Sequence, residues 1–200
     1  MQCPAQLHIQ QQIEPIEELT GFETRNQYKI KDDEGNALGH AAEQSGGFVA
    51  TLARLVYAQG RPLEIAVTDH NGHLQLSLSK GFHLLFPHYT IKDPDENLVA
   101  TAKTRFNLLK KKIDVLGPQE QLYFTAEAPV LYIGKLGFKI LSQGEQKAAI
   151  TKQWSGVGKE LITDADNFYI RYDAVEQNGW RKVLLALAFA LDISFFESGD

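Results

Sequence analysis

Trp180-Arg-Lys-Val-Leu-Leu-Ala-Leu-Ala-Phe-Ala-Leu-Asp-Ile-Ser-Phe-Phe-Glu197 is the stretch on which the fold turns. From Val183 to Leu191 nine apolar residues follow one another before Asp192 interrupts them. A bilayer-spanning helix needs about 20 mostly apolar residues, so this segment falls short. A shorter helix that is apolar all round belongs at the centre of a folded protein. Leu and Ala throughout favour a helix over residues 180–196. Arg181 and Lys182 stand at its start, the wrong end for the helix dipole, where they call for an acidic partner or solvent. Asp192 poses a related question. An unpaired charge in apolar surroundings is very costly, so it needs a polar partner or marks the point where the helix emerges into water.

Upstream of this helix one theme recurs: an alternating strand, a polar turn, another strand. Tyr28-Lys-Ile-Lys runs into Asp32-Asp-Glu-Gly35, and Leu63-Glu-Ile-Ala-Val67 into Asp69-His-Asn-Gly72 and then His73-Leu-Gln-Leu-Ser-Leu78. Tyr89-Thr-Ile-Lys runs into Asp93-Pro-Asp-Glu-Asn97 and then Leu98-Val-Ala-Thr-Ala, and Phe138-Lys-Ile-Leu into Ser142-Gln-Gly-Glu145 and then Ala148-Ala-Ile-Thr-Lys152. Period-two alternation bounded by Asn, Asp and Gly is the hairpin signal. Repeated in this way it predicts an all-β sandwich or barrel. Closure into a barrel removes exposed strand edges, and a barrel of more than about eight strands is too wide for its own side chains to fill. A barrel plugged by the last helix satisfies both constraints. One other segment, residues 47–58 with Phe48, Leu52, Leu55 and Val56, reads as a short amphipathic helix ended by Gly60 and Pro62.

Two hundred residues, 44% hydrophobic and 22% charged, suit one soluble globular domain over residues 1–200. A net charge of −5 argues against broad nucleic-acid binding. Cys3 is the sole cysteine, which excludes an internal disulfide and a cysteine-based zinc site and fits a reducing compartment. Residues 1–16 carry neither the basic nor the apolar region of a secretory signal, and neither terminus matches a myristoylation or prenylation pattern. Membrane contact is therefore expected to be peripheral. No nucleophile elbow, phosphate loop, dinucleotide fingerprint or zincin pattern is present, and no enzyme activity is expected.

Several blocks together resemble the phospholipid scramblase family, within the tubby C-terminal-like fold. They are Gln10-Gln-Gln-Ile, Leu19-Thr-Gly-Phe-Glu-Thr-Arg-Asn-Gln-Tyr-Lys-Ile30, Arg61-Pro62, Ile150-Thr-Lys-Gln-Trp-Ser-Gly156, Thr163-Asp-Ala-Asp-Asn-Phe168 and Leu191-Asp-Ile-Ser-Phe-Phe-Glu197. The resemblance covers nearly the whole chain, least clearly over residues 74–127. It implies a closed antiparallel twelve-stranded barrel, mainly β, enclosing a hydrophobic C-terminal helix. It also implies lipid association at the inner face of the plasma membrane, with calcium as a cofactor in animal members and phosphoinositide binding in tubby-like relatives. The sequence departs from the animal pattern by having no cysteine over residues 44–61 and 80–88, where palmitoyl acceptors would stand.

Candidate site residues follow. Asp164, Asp166 and Asn167 match the family's proposed calcium loop, and alternating carboxylates are the spacing calcium uses. Against it, the next alternating positions are Phe168, Ile170 and Tyr172, Val175 stands where a late carboxylate belongs, and the downstream acidic triplet reads Val175-Glu176-Gln177. The plainer reading is a turn or cap ahead of a strand at 168–172. Lys103, Arg105, Lys110, Lys111 and Lys112 form the most basic stretch, able to face anionic phospholipid head groups at about 1 kcal/mol per cation, or simply a solvated strand face. His70 with His73, and His83 with His88, have metal-compatible spacing but lack supporting cysteines, so turn and strand histidines are the better reading. Two functional readings stand: a scramblase-family protein bound peripherally to anionic lipid, and a soluble barrel that binds a small ligand or a protein.

Overall fold

The computed structural model describes residues 1–12, 26–44, 62–82, 86–131, 136–153 and 167–195. Their strands are β1 (Gln6–Gln12), β2 (Gln27–Lys31), β3 (Ala37–Glu43), β4 (Leu63–Asp69), β5 (Leu74–Lys80), β6 (His88–Lys92), β7 (Leu98–Arg105), β8 (Lys110–Leu116), β9 (Leu122–Pro129), β10 (Leu136–Ser142), β11 (Glu145–Gln153) and β12 (Asn167–Arg171). Each pairs antiparallel with its neighbours in sequence, and β1 pairs with β12, which closes the barrel. The helix α1 (Asn178–Phe195) follows. The expected helix at 47–58, His83, Asp164 and Asp166 lie outside the described residues.

Alternation selects the inward face of every strand. Leu7 and Ile9, Tyr28 and Ile30, Ile65 and Val67, Leu76 and Leu78, Tyr89 and Ile91, Ile113 and Val115, Phe168 and Ile170 are all buried. Other inward positions are small: Ala41, Ala100, Ala102, Ala126, Ala128 and Ala148. Small inward residues leave room for a helix, and α1 packs against β5, β6, β7 and β12. Its residues Val183 through Ile193 are buried on every side. Val183, Leu184, Leu185, Leu187, Phe189 and Leu191 are fully or almost fully enclosed. At about 1.5–3 kcal/mol for each large apolar side chain buried, the helix contributes as much as the net stability of an ordinary domain, about 5–15 kcal/mol. Removing it from the lumen is therefore incompatible with a folded barrel. No helix among the described residues is long and apolar enough to cross a membrane.

Three of the hairpin turns share one construction. Asp32 Oδ1 accepts from the backbone N–H groups of Glu34 and Asn36 at 3.0 and 2.7 Å. Asp69 Oδ1 does so for Asn71 and His73 at 2.9 and 3.0 Å, and Asp93 Oδ1 for Asp95 and Asn97 at 2.9 and 2.9 Å. The fourth turn residue has positive φ: Gly35 (87°), Gly72 (83°) and Glu96 (63°). The leading aspartate is what the recurring sequence theme encodes, an Asx-type turn that replaces lost backbone bonds. The turn expected at Ser142–Glu145 is tighter. Ser142 and Glu145 are already paired in strands, and Gln143 (φ 52°) and Gly144 (φ 83°) alone make the bend. Two central residues with positive φ suit the right-handed twist of a hairpin.

Asp192 meets a partner inside the barrel. Its carboxylate lies 3.2 Å from Lys152 Nζ on β11, and the pair is 1% and 3% exposed. The Tyr28 hydroxyl on β2 donates to its other oxygen at 2.7 Å. Lys152 also stands over the Phe168 ring, 5.2 Å from its centroid. Of the two expectations for Asp192, the polar partner is therefore the one realised. Arg181 and Lys182 are partly exposed, and neither meets an acid among the described residues. Arg181 donates to the backbone carbonyls of Val175 (2.6 Å) and Cys3 (2.8 Å), and Lys182 to Gln75 Oε1 (2.8 Å). Both tie the start of the helix to the barrel rim.

Breaking a buried pair on one side leaves an uncompensated charge and costs about 3–5 kcal/mol. Asp192→Leu is expected to lower stability by that amount in denaturant melts. Adding Lys152→Met to it should recover most of the loss, whereas a rise in stability for Asp192→Leu alone would show that Lys152 does not need its partner.

Candidate functional site

An up-and-down antiparallel barrel sends alternate connections to opposite ends. The connections β2–β3, β4–β5, β6–β7, β8–β9 and β10–β11 share one end with the start of α1, as Trp180 against the Tyr123 and Phe124 rings shows. The connections β5–β6, β7–β8 and β9–β10 share the other end with the last turn of α1, where Phe195 stacks on Phe138 at 5.6 Å and Ser194 bonds Tyr89 at 2.6 Å.

The basic stretch occupies β7 and β8 and divides in two. Register places Lys103 opposite Asp114, and Arg105 opposite Lys112, itself opposite Glu127 on β9. These side chains, with Lys110, lie on the outer face. Arg105 Nε donates to Asp114 at 2.9 Å, Lys112 lies 3.7 Å from the same carboxylate, Lys110 reaches Glu127 at 2.8 Å, and Lys103 reaches Glu120 at 2.5 Å. Three carboxylates thus interleave with four cations. Arg105, Lys110 and Lys112 gather toward the helix's C-terminal end of the barrel, while Lys103 reaches the opposite way, to the β8–β9 turn.

Lys111 corrects the expectation of one five-cation face. Strand alternation turns it to the inner side with Ile113. There it lies 3.5 Å from the Phe195 carbonyl and 5.4 Å from the Phe195 ring. A cation beside the last carbonyls of a helix complements the macrodipole, and burial holds the Lys111 ammonium below its ordinary pKa.

Of the proposed calcium ligands only Asn167 is described. It opens β12 between Gln10 and Gln153, and its Oδ1 lies 3.1 Å from His8 Nε2. His8 in turn stacks on Tyr169 at 4.6 Å. Among the described residues no group of three or more His, Cys, Asp or Glu is placed to hold a metal ion. His73 Nδ1 lies 3.5 Å from Asp69 in its turn, and His88 Nδ1 is 2.9 Å from the Phe86 carbonyl. A cleft between β5, β6, β7 and the start of α1 is lined by Gln75, Leu76, Ile91, Val99, Lys182 and Val183, with a volume of about 190 Å³. That is below the roughly 300–1,000 Å³ of small-molecule sites, and its Lys182 and Gln75 are already bonded to each other.

What sequence reading missed is a set of exposed apolar side chains at the helix's C-terminal end: Phe82, Phe86, Phe106, Leu108, Leu109 and Leu131. A signal was available in Phe106-Asn-Leu-Leu109, an apolar turn directly inside the basic stretch.

Together these features define a helix-filled antiparallel barrel with a cation-rich outer face toward one end. The chain belongs to the scramblase family, whose model matches residues 2–198. It is 27% identical to human phospholipid scramblase 1 over 96% of this chain and 63% of that protein, and 27% identical to bovine phospholipid scramblase 2 over 96% and 68%. The yeast protein "Altered inheritance rate of mitochondria protein 25" is 23% identical over 94% of this chain and 69% of its own length. The chain thus spans a little over six-tenths of the length of human phospholipid scramblase 1. A solved structure of an Arabidopsis thaliana protein shares the fold, with a TM-score of 0.52, 11% identity, and coverage of 96% of this chain and 94% of that one.

Cys3, the one thiol that could carry an acyl chain, is fully buried. Its N–H donates to Asn178 and its carbonyl accepts from Arg181. Burial pushes the thiol up to about 11 from 9.0. The folded state disfavours the thiolate, so this contribution to stability is complete below about pH 9 and is lost as pH rises toward about 11. We expect the native protein to resist thiol reagents at pH 8 and to react once unfolded. Cys3→Ala should flatten the alkaline fall in thermal stability.

Proposed function

We propose that this protein associates peripherally with membranes by binding anionic phospholipid head groups on the outer face of β7–β9. The observation that carries the reading is the gathering of Arg105, Lys110 and Lys112 on one strand face near one end of the barrel. Family membership points to phospholipid as the ligand class, since curated relatives are named phospholipid scramblases. The enclosed helix favours contact at the surface over insertion of α1. The carboxylates around these cations do not prevent it. Arg105 and Lys110 are each about half exposed, so a lipid phosphate can approach them from the solvent side while Asp114, which Thr125 also holds, stays in place. The cytoplasmic leaflet, rich in anionic lipid, is the surface that fits. A calcium loop at Asp164, Asp166 and Asn167 would add a second, calcium-dependent contribution.

Sedimentation with phosphatidylserine or phosphoinositide vesicles against neutral vesicles tests this. Binding should be selective for anionic lipid and fall as salt is raised. At about 1 kcal/mol per cation, Arg105→Ala/Lys110→Ala/Lys112→Ala should weaken it by about two orders of magnitude. Calcium dependence that vanishes in Asp164→Ala/Asp166→Ala would establish the loop. Equal binding to neutral and anionic vesicles would refute the head-group reading.

A further inference from the structure

The described connections at the two ends of the barrel differ in kind. At the end where α1 begins, every hairpin turn carries carboxylates: Asp32, Asp33 and Glu34; Asp69; Asp93, Asp95 and Glu96; Glu120; and Glu145 at the mouth of the fifth. At the end where α1 finishes, the described residues of the β5–β6, β7–β8 and β9–β10 connections carry none. They carry Phe82, Phe86, Phe106, Leu108, Leu109, Val130 and Leu131 instead. Phe106 is 71% exposed, Leu108 79%, Leu109 80% and Leu131 90%. Exposed Leu98 and Leu122 at the first end stand singly beside the acidic turns.

The apolar end is constructed, not frayed. Asn107 Oδ1 accepts from the backbone N–H groups of Leu109 and Lys110 at 2.9 and 3.0 Å, which fixes the turn with Phe106, Leu108 and Leu109 outside. The neighbouring connections are tied to this one. Val130 N–H donates to the Leu109 carbonyl at 3.0 Å, Thr104 N–H to the Pro87 carbonyl at 3.2 Å, and the Phe86 and Phe106 rings meet edge-on at 6.3 Å. Arg105 and Lys110 bracket the turn, each about half exposed.

A patch of large apolar side chains on a soluble surface marks an interaction site. The arrangement along the barrel axis selects its occupant. Apolar tips bracketed by the half-exposed Arg105 and Lys110 complement an anionic bilayer, with hydrocarbon below and phosphates around. We propose that Phe106, Leu108, Leu109 and Leu131 form an insertion tip that enters the head-group/acyl boundary of an anionic membrane, with Arg105 and Lys110 at phosphate level. The inference rests on the peripheral lipid reading above and deepens it, because it fixes how the barrel stands on the membrane. The axis of α1 is presented end-on, C-terminus toward the lipid. Interfacial elements bury their apolar groups about 5–10 Å deep, which matches a turn of four residues and not the barrel body.

The test exploits the buried Cys3. Leu108→Cys and, at the acidic end, Asp95→Cys are each labelled under native conditions with an environment-sensitive fluorophore, with the parent protein as control for labelling at Cys3. On addition of phosphatidylserine vesicles the label at position 108 should brighten and shift to the blue, and the label at 95 should not. Leu108→Asp/Leu109→Asp, which keeps the fold because both side chains are in solvent, should lower vesicle partitioning at least tenfold with an unchanged melting temperature. Salt-sensitive vesicle binding with a silent label at 108 and no loss in Leu108→Asp/Leu109→Asp would overturn the tip and leave the head-group reading standing. No binding to any vesicle would overturn both. A dimer in sedimentation that Leu109→Asp abolishes, without vesicle binding, would assign the patch to a second copy of the chain and overturn the proposal.

Discussion

A lumen bounded by twelve strands has to be occupied by something other than the strands' own side chains, and in this protein α1 occupies it. The alternation of every strand serves that end, with Tyr28, Tyr89 and Phe168 filling the wide parts of the interior and Ala100, Ala102 and Ala148 making room for the helix. The one charged residue that α1 brings inside, Asp192, is held by Lys152 and Tyr28 from two different strands. Such a group contributes little net stability compared with an apolar replacement of the whole cluster. What it adds is register, because only one axial position of the helix brings Asp192 level with both partners.

Register of the helix and direction of the strands together make the molecule polar along its axis. Tight, aspartate-led turns collect at one end because they join strands that return at once. The other end receives the remaining connections and the helix C-terminus. Cations on β7 and β8 then acquire different meanings according to their height and side. Lys103 reaches an acidic turn, Lys111 meets the helix terminus from within, and Arg105, Lys110 and Lys112 remain near the apolar end. A run of basic residues that looks uniform in sequence is three separate features in space.

The hairpins around Asp32, Asp69 and Asp93 were legible because a local cause, the aspartate accepting N–H groups two and four residues on, produces them. β1 was less so. Among its seven residues only Leu7 and Ile9 give an apolar pattern, and the rest are His and Gln. β8 hid behind its lysines and β9 behind alanines at inward positions, since Ala126 and Ala128 carry little hydrophobic signal yet are buried. The apolar turn at Phe106–Leu109 reads in isolation as core, and only its location at a barrel end accounts for the exposure of Phe106, Leu108 and Leu109.

The sequence alone showed alternating strands, turns led by Asp32, Asp69 and Asp93, and an apolar helix too short for a bilayer. These are local properties, set by side-chain period, turn chemistry and length. It also carried the family blocks that run through residues 2–198. Packing around the barrel decided that Asp192 is paired, that Arg181 binds carbonyls, that Lys111 leaves the outer face, and that, among the described residues, the aspartate-led turns lie at the end opposite the exposed apolar connections. Each of these depends on which strands meet around the barrel, a relation between residues as far apart as Tyr28 and Asp192 that no local pattern encodes.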